Sequence, residues 1–191
     1  MGVTATTVEI APGLAMPFLP MIPRLGDPLR TRPQIKSAVK DLDNDDLLVQ
    51  PTFNGRRVCL AVVDKNVFIT DEAGRWVTQP PINGRDFLKL PNNTCLDGYI
   101  TRQTFYISDC LAIRGQTLLE RIAAERTAVA FQLAKFLHHP WLFNRPSPKF
   151  IQAARSNLPE FPGLMLKDYM SFYTLLSSKS KTSKTWIKRL W

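Results

Sequence analysis

The sequence predicts an α+β fold in which antiparallel sheets are flanked by a few helices. Apolar segments with strand character follow one another between residues 47 and 113, and turn residues separate them. Helical periodicity is clearest in one later segment, over residues 117–137. Strands grouped in one part of a chain and helices in another are typical of α+β domains.

Composition indicates a single soluble globular domain with a basic surface. The chain has 191 residues, of which 45% are hydrophobic and 21% charged, with a net charge of +9. A basic excess favours nucleic acid as a partner over an anionic membrane surface, and a solvated lysine-rich face is the alternative. No segment approaches the roughly 20 apolar residues of a membrane span and no signal peptide is evident, so we expect a cytoplasmic protein with no membrane partner.

The three cysteines, Cys59, Cys95 and Cys110, are widely spaced in apolar contexts. They form no C-x-x-C pair and no Cys/His zinc spacing, so we expect buried, reduced thiols and no metal site.

The N-terminal region, residues 1–32, contains prolines at positions 12, 17, 20, 23 and 28. This spacing is incompatible with a helix and favours an extended arm that lies on the core. We therefore divide the chain into a proline-rich arm (1–32) and a main domain (33–191). A short helix is predicted over residues 34–42, at the start of the main domain.

The following segments are predicted strands joined by tight turns. LLVQPTF precedes Asn54-Gly55 and RRVCLAVV follows it, which is a hairpin signal. Turns at 64–66 and 73–74 lead into VFIT and RWVTQ. Further strands are predicted for TCLDGYI, QTFYISDCLAI and GLMLKDY.

Two helices are predicted beyond these strands. Thr117 and Glu120 have the spacing of a capping box, and apolar residues then recur with helical periodicity up to Pro140. The second helix covers 147–157. His138 and His139 fall where the first helix ends, so we interpret them as capping residues.

Five segments resemble, in order, the motifs of ATP-dependent DNA ligases and other covalent nucleotidyltransferases. They are LVQPTFNGRR, CLDGYI, FYISDCLAIRGQTL, FPGLMLKDYMSFY and KTWIKRL, and the resemblance covers about residues 14–190. It implies a ligase/nucleotidyltransferase (ATP-grasp-like) adenylation domain. The OB-fold domain that follows this domain in active ligases is not expected here, because the sequence given ends at Trp191.

The resemblance also implies a defect in the chemistry. In the family, a lysine amine attacks the α-phosphate of ATP and becomes adenylylated. Here Thr52 occupies the lysine position, and a hydroxyl is a poor nucleophile unless a base assists it. The aspartate two positions later in the motif is replaced by Asn54.

Further positions that handle ATP or metal in the family are also changed. The resemblance implies a lost nucleotide-binding arginine, ribose- or metal-binding acid, adenine-stacking aromatic, Mg²⁺ carboxylate and final-motif lysine. The residues at these positions are, respectively, Glu72, Tyr99, Ser108, Pro162 and Leu190.

Other motif residues are retained. By resemblance, Arg57, Lys167 and Lys188 are candidates for nucleotide or phosphate binding. Asp97 and Asp109 are retained too; we expect them at strand ends, where they could serve the structure. Ordinary lysines at strand ends are the alternative for Lys167 and Lys188.

The C-terminal fifteen residues contain five basic residues and no acidic one. A basic run beside tryptophans favours nucleic-acid binding, and a solvated tail is the alternative. The candidate contacts are Lys179, Lys181, Lys184, Trp186 and Arg189.

Together these observations predict a catalytically inactive, ligase-like protein that binds nucleic acid (DNA), a nucleotide or a protein partner. One alternative is a divergent ATP-dependent DNA ligase or nucleotidyltransferase that uses another lysine, such as Lys65 or Lys167. Another is a structural subunit of a larger assembly, such as one of phage origin. No cofactor is expected; ATP and Mg²⁺ belong only to the active alternative.

Overall fold

The computed structural model describes residues 7–11, 14–17, 23–25, 47–102, 104–138, 163–171 and 183–190. The helices predicted over 34–42 and 147–157 lie outside these ranges, as does His139. The described parts of the N-terminal region are strands. The division into an arm and a main domain stays a prediction.

The larger sheet is antiparallel and contains β5 (Arg56–Val63), β6 (Asn66–Asp71), β7 (Thr94–Thr101), β8 (Thr104–Ile113) and β9 (Gln116–Thr117). The described strand order is β6-β5-β7-β8-β9. The turn between β5 and β6 places Asp64 and Lys65 at φ 47° and 59°. Two successive left-handed residues are typical of the tight turn that joins hairpin strands, so the predicted turn is confirmed.

The second sheet has the described order β3-β11-β10-β4. Its strands are β3 (Pro23–Leu25), β4 (Leu47–Thr52), β10 (Gly163–Asp168) and β11 (Ser183–Leu190). β11 is antiparallel to β10 and parallel to β3. The basic C-terminal segment therefore includes a strand that the sequence analysis did not predict. A separate hairpin joins β1 (Thr7–Ala11) to β2 (Leu14–Pro17).

The hairpin predicted at Asn54-Gly55 is wrong. β4 pairs with β10, whereas β5 pairs with β6 and β7, so the chain passes from one sheet to the other at this turn. A Cβ on Gly55 would lie 2.5 Å from the carbonyl oxygen of Ile100. The glycine is therefore required by a close backbone approach to β7, and it does not mark a two-residue hairpin.

The predicted turn at 73–74 is confirmed, with Gly74 at φ 74°. The segment that follows it was expected to form a strand. Within the described residues it forms only an isolated bridge between Trp76 and Thr70. Residues 84–89 form a short 3-10 helix, Gly84–Lys89, which lies beside β6.

The helix α1 spans Ala123–Leu137, which confirms the predicted helix but not its start. Thr117 pairs with Ala112 in the larger sheet, and its hydroxyl accepts a hydrogen bond from the Leu119 amide. The predicted capping box of Thr117 and Glu120 is therefore wrong, because Thr117 belongs to β9 and the helix begins only at Ala123. The helix ends as predicted at His138, which adopts a left-handed cap conformation (φ 53°).

The larger sheet is covered on both faces. One face packs against α1 and the 3-10 helix through Leu60, Leu96, Phe87, Phe105 and Ala134, among others. The other face packs against the second sheet, where Met165 joins Cys59, Cys95 and Leu111.

All three cysteines are buried and free of disulfides, as expected. None of the described helices combines the length and the apolar composition that a membrane-spanning helix requires.

Candidate functional site

Thr52 is the last residue of β4 and lies opposite Gly163 of β10. Its side chain is only 1% exposed. Among the described residues, its Oγ1 has no hydrogen-bond partner. A hydroxyl needs an adjacent base to become a useful nucleophile. No described group is placed to accept its proton.

Arg57 and Asp97 form a buried ion pair near the start of β5. Arg57 Nε donates to Asp97 Oδ1 at 2.9 Å, and Nη2 donates to Oδ2 at 2.5 Å. Both side chains are about 95% buried or more. This bidentate geometry matches the guanidinium to the carboxylate. The charge of Arg57, a predicted phosphate ligand, is therefore compensated within the protein.

Asp97 and Asp109 do not lie at strand ends, so that prediction is wrong. They are paired across the interiors of β7 and β8, beside a register shift. Asp109 receives hydrogen bonds from Arg126 Nε at 3.1 Å and Nη2 at 3.2 Å, and both side chains are fully buried. Each aspartate is thus paired with an arginine, which leaves neither well suited to Mg²⁺.

Lys167 lies on β10 and is fully buried. Its Nζ is 3.4 Å from Ser108 Oγ and 3.9 Å from Asp109 Oδ2. Burial lowers the pKa of Lys167 from 10.5 to about 8, although the nearby carboxylates of Asp109 and Asp97 oppose this effect. The predicted phosphate ligand therefore belongs to an internal polar cluster.

Ser108 has a defined role in that cluster. Its carbonyl oxygen accepts a bond from Gln50 Nε2 at 3.4 Å, and its hydroxyl lies 3.5 Å from Gln50 Oε1. Ser108 connects β8 to β4 and β10, at a position where the resemblance implies an adenine-stacking aromatic. The buried amide of Gln50 and the ammonium of Lys167 both have contacts with this serine.

An aromatic cluster forms around Phe53, the residue that follows Thr52 in the sequence. Phe53 stacks on Tyr106 at a centroid distance of 4.0 Å and lies 6.3 Å from Tyr99. Tyr99 is opposite Tyr106 across β7 and β8, and burial raises the pKa of its hydroxyl. Tyr99, in place of the family's acidic residue, therefore contributes to an aromatic cluster and supplies no metal-binding carboxylate.

Glu72 is exposed in the loop after β6. Asn54 is exposed in the segment that links β4 of one sheet to β5 of the other. Asp71, which precedes Glu72, binds Arg56 and Arg75. The resemblance implied only a charge reversal at Glu72; the structure adds two arginines in contact with its neighbour.

The other predicted site residues are only partly described. Lys188 lies opposite Met165, and Trp186 lies opposite Lys167. Lys184 and Arg189 are also in β11. Lys65 occupies the exposed turn between β5 and β6, away from the buried cluster. Pro162, Lys179 and Lys181 lie outside the described residues.

The sequence analysis did not single out three residues that make buried or partly buried polar contacts: Arg126, Gln50 and Asp71. Arg126 had a usable signal, because it follows Ala123 by three positions and precedes Ala130 by four, on the apolar face of α1. A charged residue at such a position indicates a buried partner. Gln50 and Asp71 carried no comparable signal.

Comparison with solved structures identifies the class of fold. The chain is similar to a mycobacterial DNA ligase D complexed with ATP and MES, with a TM-score of 0.68 and 20% identity over 91% of this chain and 60% of that one. It is also similar to the ligase domain of LigD from M. tuberculosis, with a TM-score of 0.69 and 17% identity over 90% of this chain and 58% of that one. The chain therefore spans about 60% of the length of these two structures.

A third similar structure comes from a study of DNA binding with a minimal scaffold by Lig E DNA ligases. Its TM-score is 0.52 and its identity 13%, over 76% of this chain and 62% of that one. No protein-family model matches the sequence, and no curated protein matches it. At these identities the likeness establishes the fold. The predicted α+β fold of the ligase adenylation-domain type is confirmed.

Proposed function

We propose that the protein is a catalytically inactive, ligase-like domain that binds DNA. The observation that carries this proposal is the state of Thr52. At the position that corresponds, by resemblance, to the catalytic lysine of the ligases, this chain has a buried threonine. Its hydroxyl has no described hydrogen-bond partner. Covalent adenylylation needs an amine that is partly neutral and can reach the α-phosphate of ATP.

The surrounding charges support inactivity. Arg57 is bound to Asp97, and Arg126 is bound to Asp109. An ATP–Mg²⁺ complex needs cations for the phosphates and oxygen ligands for the metal. These pairs would have to separate before either aspartate could bind Mg²⁺, and separating a buried ion pair is costly.

DNA is the partner that the overall charge and the fold favour. The net charge of +9 attracts a polyanion at long range. The similar Lig E structure is described in terms of DNA binding with a minimal scaffold. A scaffold that keeps its fold while the nucleophile is lost can still present a DNA-binding surface.

The test of inactivity is an adenylylation assay on the purified chain. The protein is incubated with α-labelled ATP and Mg²⁺ or Mn²⁺, denatured, and examined for covalent label. We expect none, while an active DNA ligase in parallel becomes labelled. A label that mass spectrometry maps to a lysine would contradict inactivity.

The test of DNA binding is a titration of nicked and intact duplexes over a series of salt concentrations. Phosphate contacts make the affinity fall with increasing salt, by a slope of roughly 0.9 per contact on logarithmic axes. We expect measurable, salt-dependent binding to both duplexes. Undetectable or salt-independent binding would remove DNA as the partner and leave the inactivity proposal standing.

A second candidate is a divergent nucleotidyltransferase that uses Lys167. The lowered pKa of Lys167, about 8, favours it, because more of the amine is neutral at physiological pH. Its complete burial and its contacts with Ser108 and Asp109 oppose it. In the labelling assay, this candidate requires label on Lys167 that a Lys167→Arg variant does not acquire.

A further inference from the structure

The sequence contains two Asn-Gly pairs, Asn54-Gly55 and Asn83-Gly84. In such a pair the backbone nitrogen of the glycine is well placed to attack the asparagine side chain, because glycine has no Cβ to hinder the approach. The two pairs therefore share the same local chemistry. The structure puts them in different surroundings, so we expect them to differ in reactivity.

Asn83 is restrained by the helix that it precedes. It is the N-cap residue of the 3-10 helix Gly84–Lys89, and its Oδ1 accepts a hydrogen bond from the Arg85 amide at 3.2 Å. Its carbonyl oxygen accepts a second bond, from the Asp86 amide at 3.4 Å. An attack by the Gly84 nitrogen would break the cap and distort the first turn, so the fold protects Asn83.

Asn54 has no such restraint. It is exposed in the segment that links β4 to β5, and Gly55 beside it is exposed as well. Neither residue belongs to a helix or a strand. Among the described residues, the Asn54 carboxamide has no hydrogen-bond partner. The side chain is therefore free to turn towards the Gly55 nitrogen, and water has access to the product.

Packing against β7 requires the glycine at position 55. A Cβ there would lie 2.5 Å from the carbonyl oxygen of Ile100 and 3.0 Å from Cγ2 of Thr101. A larger residue, which would slow the attack on Asn54, is therefore excluded by the close approach of two backbones. The fold itself thus maintains the reactive pair in this link.

We propose that Asn54 is a site of self-modification by deamidation. The Gly55 backbone nitrogen gives up its proton and bonds to Cγ of Asn54, and the side-chain nitrogen leaves as ammonia. Water then opens the five-membered imide ring at one of its two carbonyls. The products are an aspartate or its β-linked isomer, and the net change is the uptake of one water and the release of one ammonia. No other reactant is needed.

The two products have different structural consequences. The aspartate adds a negative charge and so lowers the net charge of +9 by one unit. The β-linked isomer also adds one carbon atom to the main chain, directly before the approach of Gly55 to Ile100. Close-packed surroundings tolerate such an insertion poorly, so this isomer should loosen the link from β7.

The experiment follows both asparagines in one sample of the full chain by peptide mass spectrometry. The folded protein is incubated at physiological pH and temperature, in parallel with the chain unfolded in concentrated urea. We expect Asn83 to react about fivefold or more slowly when folded, which corresponds to the free energy of one N-cap bond. Asn54 should keep nearly its unfolded rate. Equal suppression at both positions, or reaction of both at the unfolded rate, would overturn the proposal.

Matched variants connect the chemistry to the residue. Asn54→Gln should abolish the acidic form that ion-exchange chromatography separates, because a glutamine would have to close a larger ring. Asn83→Gln should leave the acidic form unchanged. If the acidic form persists in Asn54→Gln, the assigned site is wrong.

Thermal unfolding tests the structural consequence. The Asn54→Asp variant carries the new charge on an ordinary main chain, so its Tm should stay close to that of the unchanged protein. The purified β-linked form should have a lower Tm. If the β-linked form is as stable as Asn54→Asp, the proposed loosening of the link is wrong.

Discussion

Asp97 and Asp109 lie directly opposite each other on neighbouring strands, and each carboxylate is bound by its own buried arginine. Like charges in opposed positions would repel without these partners. Lys167 adds a third buried cation near Asp109. Two of the three residues that the family resemblance assigns to nucleotide or phosphate binding, Arg57 and Lys167, therefore contact buried aspartates.

We expect Thr52→Val to be neutral or to raise the free energy of unfolding by about 1 kcal/mol. Valine has nearly the same shape and removes a buried hydroxyl that has no described partner. Thr127→Val is the matched control, since the Thr127 hydroxyl donates to the Ala123 carbonyl; we expect a loss of about 1 kcal/mol. Urea unfolding measures both. A loss at Thr52 as large as that at Thr127 would indicate a bond within the site.

We expect Thr52→Lys to leave the protein unable to form a covalent adenylate. The new amine would be buried in a site whose carboxylates are already paired with Arg57 and Arg126. The labelling assay with ATP and either metal ion measures the outcome. Label on the introduced lysine would mean that the missing nucleophile is the only chemical defect.

We expect Arg126→Met to lower the free energy of unfolding by roughly 3–5 kcal/mol. The substitution leaves Asp109 buried with Lys167 at 3.9 Å as its nearest described cation. Adding Asp109→Leu should recover part of the loss, because no buried carboxylate then lacks its arginine. Denaturant titration of the single and double variants tests this. A double variant less stable than Arg126→Met would contradict it.

We expect Lys167 to make stability depend on pH between about 8 and 10.5. Its folded-state pKa lies below the ordinary value of 10.5, so the unfolded chain binds the proton more tightly. The protonated amine therefore destabilises the fold at neutral pH, and this effect is relieved as pH rises through that interval. The difference between a pKa of about 8 in the folded chain and 10.5 in the unfolded chain corresponds to a gain on the order of 3 kcal/mol.

The measurement is the difference in unfolding free energy between the protein and a Lys167→Met variant across that pH range. Burial also raises the pKa of Cys59 and Cys110, which lowers stability at alkaline pH. Both proteins contain these thiols, so their effect largely cancels in the difference. A difference that stays constant with pH would contradict the perturbed pKa of Lys167.

We expect Gly98→Ala to lower the free energy of unfolding by about 1–3 kcal/mol. A Cβ at Gly98 would lie 2.3 Å from the Tyr106 carbonyl oxygen and 2.6 Å from the Phe105 ring. Gly84→Ala is the control, because the closest atom to its Cβ would be 3.4 Å away on Val67. Thermal unfolding of both variants checks the expectation. Equal tolerance at the two positions would show that β7 and β8 can separate at little cost.

The strands and helix α1 were largely predictable, because local periodicity reflects which faces are buried. TCLDGYI and QTFYISDCLAI became β7 and β8 over nearly the expected residues. Predictions failed where a distant segment decided the structure. Asn54-Gly55 has the residue types of a hairpin turn. However, β4 pairs with β10, more than a hundred residues later, and not with β5.

The candidate site, like the fold, was predictable from the sequence only in part. By itself, the sequence determined that Thr52 occupies the resembled nucleophile position and that the chain is strongly basic, because residue identity and charge need no coordinates. Only the tertiary structure decided which charges pair. Arg57 meets Asp97 forty positions away, and Arg126 meets Asp109 across a helix–sheet interface. A buried ion pair depends on geometry at a few ångströms, and only the packing of the strands and α1 sets that geometry.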